Sequence, residues 1–388
     1  MSGIKQIIKR PVLVILNQLG RMLNKSFDKP VDMGSVKNIL VIQLGGIGDV
    51  LRLFPLFQIL SREFPNALIT SLTEQGNDLF KLLEVPNSNC RHQRIDFNKG
   101  YLYKLSQIIS LRKNSYDLII VPSRGDGIIE CSVFAFLLGA PYRVGFIMDG
   151  SGFLHTNKVK FRKDASIVEQ NLELLKCLGI ESEAVHLSIR IPDAESAYAE
   201  DLLQKYAPNG ELPVFLHPWA ISHPEFRSWP SENYIELTRY ILSNHKSRVF
   251  LLGSSSERRF SEKFELLANH SGLINITGVT SLLQTAALIK KSALFIGNDS
   301  GLLHIANALK APSIGIFGAT SPIQILSPGN NCIPIVSGCK NLPCRPCYVH
   351  QPLFTYRCNV DYKCLKSISV EEVIQVVKHK LNSSYSQT

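Results

Sequence analysis

No apolar run in this chain approaches the ~20 residues that a membrane-spanning helix requires, so nothing in it reads as a span. There is no G-K-S or G-K-T signature, which excludes a P-loop nucleotidase. The turn LGGIGDVL at 44–51 offers Gly46 and Gly48 to a dinucleotide fingerprint, but Leu51 stands where the third glycine belongs. That absence weighs against a nicotinamide dehydrogenase. The net charge is +10, yet no nucleic-acid motif or aromatic–basic stripe accompanies it, so nucleic acid is excluded as a partner. No small-residue cleavage site follows the apolar stretch VLVIL at 12–16, against a secretory signal. Nor is there a short internal repeat or a long low-complexity segment.

What is present fits a folded chain of two domains. It has 388 residues, 45% hydrophobic and 19% charged, too many for one ordinary core. Apolar runs rich in Ile and Val alternate with helical stretches. NILVIQL (38–44), ALITSLT (67–73), YDLIIVP (116–122) and YRVGFIM (142–148) read as strands. VLRLFPLFQILSREF (50–64), YLYKLSQIISLRK (101–113) and GIIECSVFAFLLG (127–139) read as helices. After a break near 187–213 the alternation resumes, with strands at 213–218, 248–254, 293–297 and 313–318. Near-continuous apolar strands separated by helices imply parallel, doubly wound sheets. The expected organisation is a basic amphipathic segment (1–35), a Rossmann-like domain (36–190), a second Rossmann-like domain with a cysteine-rich tail (205–365), and a closing helix (366–388). The first 29 residues hold six Lys or Arg against Asp28 alone. They read as an interfacial helix facing anionic lipid, the alternative being an extra helix packed on the body.

Two glycine turns fall at predicted strand ends, where open α/β sheets bind ligands. The first contains Gly45, Gly46, Gly48 and Asp49. Asp49 is read locally as a helix cap, although a carboxylate is a poor companion for phosphate. The second lies in ALFIGNDSGLLHIANAL, 293–309. Asn298, Asp299 and Ser300 are capping residues, and a helix beginning near Ser300 would offer free N–H groups to a diphosphate. Gly301 would let a phosphate approach closely. His304 lies one turn on, as a structural histidine or a ligand contact. Asp299 is a cap or a contact to sugar hydroxyls. Arg227 in FRSWP is either a surface arginine or a phosphate ligand. Glu257 follows the strand RVFLLGS and sits where an acid can bind ribose hydroxyls or favour a helix N-terminus.

The stretches ILVIQLGGIGDVLRLFP, FRSWP and FIGNDSGLLHIANALKAPSIGIFGATSP resemble glycosyltransferase family 9, the lipopolysaccharide heptosyltransferases. The resemblance runs from about residue 37 to about 375, in matching order and spacing. It implies a GT-B fold, two Rossmann-type domains with parallel sheets facing across a cleft. It implies inverting transfer of a heptose from an ADP-linked donor to a core sugar of lipid A, with no metal or other cofactor required. The absence of a D-x-D-type motif beside the donor turn agrees with that expectation. By resemblance Asp49 is the base. Arg227 takes the place of the lysine in K-x-W-P, Glu257 lies near the nucleoside, and Asp299, Ser300, Gly301 and His304 line the donor's sugar and phosphates. The chain departs from the family at Gln43, where a basic residue is common, at Gly45 and Gly46, where serines are, and at Arg52, where a histidine is. These positions bear on the acceptor. The implied partners are a nucleotide sugar, a glycolipid acceptor and the cytoplasmic face of the inner membrane. The alternatives are another nucleotide-sugar donor, or a non-catalytic nucleotide-sugar-binding protein.

Six of nine cysteines fall between Cys332 and Cys364. Cys339, Cys344, Cys347, Cys358 and Cys364 include one C-x2-C pair and admit either a structural zinc or reduced packing thiols and disulfides.

Overall fold

The computed structural model describes residues 31–385, apart from 86–88, 98, 123–126, 148–151, 163, 182–186, 221–223, 337–341, 343, 345 and 348–357. The expected basic segment therefore lies almost wholly outside the described residues, as does Cys339.

The chain forms two compact units, the first ending at Leu187 and the second starting at Ser188. The first is built on six strands: β1 (Asn38–Gln43), β2 (Leu68–Thr73), β3 (Cys90–Arg94), β4 (Leu118–Val121), β5 (Tyr142–Ile147) and β6 (Asn157–Lys160). All pair in parallel, in the order β3-β2-β1-β4-β5-β6. The second unit repeats the plan with β7 (Leu212–His217), β8 (Ser247–Leu251), β9 (Leu273–Asn275), β10 (Leu294–Asn298), β11 (Ser313–Phe317) and β12 (Cys332–Val336). Its order is β12-β11-β10-β7-β8-β9, again all parallel.

Each sheet thus winds outward in both directions from a central pair, β1 with β4 and β7 with β10. The crevice at such a reversal, beyond the carboxyl ends of the strands, is where doubly wound sheets bind ligands. The central strands bury both faces. Ile39, Leu40, Val41 and Ile42 of β1 are fully buried, as are Leu294, Phe295 and Ile296 of β10. Each such side chain contributes about 1.5–3 kcal/mol relative to exposure, which fixes the strands on which both turns stand.

The helix expected over 50–64 is divided. A short helix, Ile47–Leu51, is followed by Phe54–Glu63. Pro55 falls in the first turn of the second helix, where its missing N–H breaks no helical bond. The charged helix Asp193–Tyr206, which the sequence leaves mostly between its two domains, belongs to the second unit. It packs on the helix Leu282–Lys290, and Glu200 pairs with Lys291 at 2.6 Å. The closing helix Val370–Tyr385 lies on Ser231–Asn244, and its Val373, Val377 and Leu381 join the second unit's core.

Candidate active site

In the first unit the chain leaves β1 through Leu44, Gly45 and Gly46 and enters the helix Ile47–Leu51. Asp49, the third residue of that helix, turns back: its Oδ2 accepts from the Gly46 N–H at 3.2 Å. The N-cap is thus Gly46, not Asp49 as the sequence suggested; Asp49 serves the helix start from inside its first turn, by bonding back to the cap residue. Its Oδ1 accepts from Arg52 Nη2 at 2.7 Å. Arg52 is almost fully buried, whereas the Asp49 side chain stays 32% exposed. Gln75 Nε2 donates to the Gly45 carbonyl at 2.8 Å and ties the turn to the loop after β2.

In the second unit, three adjacent strands bring their carboxyl ends together around Ser300. His217 ends β7, Glu257 follows β8, and Asp299 and Ser300 follow β10. Ser300 is the N-cap of the helix Gly301–Ala308, but its hydroxyl makes no capping bond. It lies 2.9 Å from His217 Nδ1 instead, and His217 Nε2 lies 3.2 Å from Glu257 Oε1. A carboxylate only accepts, so the Nε2–H donates to Glu257; in that neutral tautomer Nδ1 accepts from the serine hydroxyl. Glu257 Oε2 accepts from both the N–H and the hydroxyl of Ser254. Burial by itself would raise the Glu257 carboxyl; His217 and Ser254 together outweigh it and hold it below the usual carboxylate range.

With Ser300 drawn toward His217, no serine hydroxyl occupies the first-turn amides of the helix. Beside them Asp299, buried, sits 3.4 Å from His304 Nε2 and 3.9 Å from Arg227 Nε. Arg227 is 24% exposed. The site thus sets a cationic side chain and a helix N-terminus beside the buried Asp299, with the second buried carboxylate, Glu257, engaged by His217 and Ser254; the amides and the guanidinium are the groups suited to an anionic ligand.

Residues 104–355 match the family model for glycosyltransferase family 9 (heptosyltransferase). The chain belongs to this family. It is a glycosyltransferase of the heptosyltransferase kind, related to enzymes of lipopolysaccharide assembly. Lipooligosaccharide heptosyltransferase 2 of Haemophilus influenzae is 26% identical over 307 residues, covering 74% of this chain and 84% of that protein. The Escherichia coli ADP-heptose lps heptosyltransferase II has the same fold, with a TM-score of 0.67 at 19% identity over 90% of this chain and 99% of the other. E. coli heptosyltransferase WaaC with ADP gives 0.61 at 19% identity, covering 88% and 99%. The GT-B class expected from the sequence is the class observed, two Rossmann-type units with parallel sheets.

In this glycosyltransferase the predicted residues divide by unit. Gly45, Gly46, Gly48 and Asp49 cluster after β1. Arg227, Glu257, Asp299, Ser300, Gly301 and His304 cluster after β7, β8 and β10. Two residues prove central that were not counted with the site, His217, given no role from the sequence, and Asn298, read there only as a cap. His217 links Glu257 to Ser300. Asn298, fully buried, accepts from the Trp229 N–H and the Tyr234 hydroxyl, both at 3.0 Å, and donates to the Pro218 carbonyl at 2.7 Å. The signals that pointed to them were only a polar residue ending each of two apolar strands.

Of the cysteines in the tail, Cys347 is buried and Cys344 and Cys358 pack about it. Burial and the neighbouring thiols push the Cys347 thiol up to about 12. Among the described residues no three His, Cys, Asp or Glu side chains are grouped to hold a metal ion.

Proposed function

We propose that this family 9 chain transfers a heptose from ADP-heptose to an inner-core sugar of lipopolysaccharide, with inversion and without a required metal. Asp49 takes the proton of the acceptor hydroxyl. The acceptor oxygen bonds to the anomeric carbon as the bond from that carbon to the diphosphate breaks on the opposite face, and ADP departs. The charge that gathers on ADP is met by the first-turn amides of Gly301–Ala308 and by Arg227, while the Ser300 hydroxyl stays engaged with His217. Those groups supply in fixed dipoles and one guanidinium the positive charge that the leaving group needs.

The observation that carries this reading is the Ser300 N-cap, held by His217 instead of by its own helix. It leaves a phosphate-binding terminus open beside Arg227. Two similar structures support the donor: one is an ADP-heptose enzyme, and another holds ADP. The acceptor and the working place, the cytoplasmic face of the inner membrane, follow from the same kinship. Among the described residues no helix is long and apolar enough to cross a membrane, and the basic segment 1–35 is proposed to hold the enzyme at that surface.

The test is incubation with a panel of nucleotide sugars and truncated lipopolysaccharide acceptors, read by mass spectrometry, for wild type and Asp49→Asn. The expected product gains one heptose from ADP-heptose alone. The variant should lose about 10²–10⁴-fold in turnover while binding ADP as wild type does. Transfer from a different nucleotide sugar would overturn the donor assignment, and undiminished turnover in the variant would remove Asp49 from its role.

A further inference from the structure

The helix Tyr101–Arg112 presents two apolar faces. Ile108 and Leu111 enter the core of the first unit. Tyr101, Leu102, Leu105 and Ile109 point outward, with 88%, 84%, 52% and 57% of their surfaces exposed. At about 100° per residue, those four lie within one stripe of about 100° of arc, a second apolar face displaced from the buried one. Single exposed apolar residues are ordinary, but a contiguous set on one helix marks an interaction surface.

The charge around the stripe says what covers it. From Arg91 to Tyr116 the chain carries Arg91, Arg94, Lys99, Lys104, Arg112 and Lys113 against Asp96 alone. Of these, Lys99, Arg112 and Lys113 are exposed beside the stripe, and Lys104 pairs with Glu130. The helix itself holds no acidic residue. A second copy of this face would bring like charge to like charge. So would the segment 1–29, which is also strongly basic. An apolar stripe bordered by cations, on a helix too short to span, matches the boundary between acyl chains and anionic headgroups.

We infer that the helix Tyr101–Arg112 is a membrane-docking face, seating Tyr101, Leu102, Leu105 and Ile109 in an anionic bilayer with Lys99, Arg112 and Lys113 at its headgroups. It acts in addition to anything contributed by the first 35 residues. The inference rests on the proposed function only in that a glycolipid acceptor places the enzyme at a bilayer, and it is read by vesicle binding, not by turnover.

The experiment uses the full chain and vesicles of equal parts phosphatidylethanolamine and phosphatidylglycerol, with phosphatidylcholine vesicles as comparison, followed by co-sedimentation. The variant Leu102→Glu with Ile109→Glu alters only exposed positions and should keep the wild-type thermal midpoint and the turnover of a soluble acceptor. It should bind anionic vesicles at least about tenfold more weakly. Lys99→Ser with Lys113→Ser should lower anionic-vesicle binding by about fivefold per charge removed and leave binding to phosphatidylcholine unchanged. Asp49→Asn should bind vesicles as wild type does, so failure of the catalytic reading would leave this result standing. Wild-type binding by both double variants overturns the proposal and assigns the membrane contact elsewhere in the chain. A wild-type dimer that Leu102→Glu with Ile109→Glu converts to monomer in light scattering also overturns it, because the stripe then joins two copies.

Discussion

Gly45 has no side chain because Asp49 occupies the space one would fill. A Cβ there would stand 2.6 Å from Asp49 Oδ2 and 2.7 Å from its Cβ, whereas a Cβ on Gly46 would meet nothing within 4 Å. The serines common in the family at these two positions are therefore not equivalent here. Gly45→Ala should displace the carboxylate and lower kcat by about 10²-fold, the scale of an ångström-sized misplacement. Gly46→Ala should stay within about twofold, and steady-state kinetics of the pair checks this. His217 presents a second case at the same scale. Without it, the Ser300 hydroxyl is released to cap its own helix, where it competes with the donor for the same amides. His217→Ala should raise the donor KM by about tenfold, the worth of a hydrogen bond or somewhat more, with a smaller change in kcat. His217→Asn should recover part of the loss. An equal fall in kcat with an unchanged KM would show that the histidine does not act through donor binding.

Elements are joined at this site by Asn298. Its side chain ties the end of β10 to the segment before the helix Ser231–Asn244 through the Trp229 N–H, to that helix through Tyr234, and to the loop after β7 through Pro218. Burial pushes the Tyr234 phenol well above its ordinary value, so it stays a neutral donor. Trp229, buried in turn, donates from Nε1 to the Ile368 carbonyl at 3.0 Å. The strand bearing Asp299 and the segment bearing Arg227 are thereby locked together. Asn298→Ala leaves three buried groups without their partner, at about 1 kcal/mol each. The thermal midpoint should fall by about 6–12 °C for a unit of this size, measurable by calorimetry, and ADP affinity should fall with it. The legibility of strands also belongs to this scale. The eight strands read from the sequence are the inner ones, buried on both faces and hence continuous apolar runs. The four not read, β3, β6, β9 and β12, are the four sheet edges. Their composition, CRHQR in β3 and NKVK in β6, alternates between partial burial and solvent, and a short half-exposed strand carries little periodic signal.

Across the whole molecule, one plan is used twice: six parallel strands with a reversal at the centre, and a polar turn beyond each central strand. The excess positive charge is concentrated in two places, residues 1–29 and 91–116, which suits an enzyme meeting an anionic surface more than one with charge spread evenly. The sequence by itself determined the inner strands, the two glycine turns and the GNDSG block, because hydrophobic period and turn chemistry are local properties written along a few neighbouring residues. It left Asp49 divided between cap and catalyst; in the structure its carboxylate bonds back to the Gly46 N–H and pairs with Arg52, with the side chain 32% exposed. Only the tertiary structure decided which distant residues meet. Ser300 and His217 are 83 positions apart, His217 and Glu257 are 40, and Trp229 and Asn298 are 69. The order of strands in the second sheet brings them to one edge, and that order is set by packing between elements, to which the period of any single element is blind.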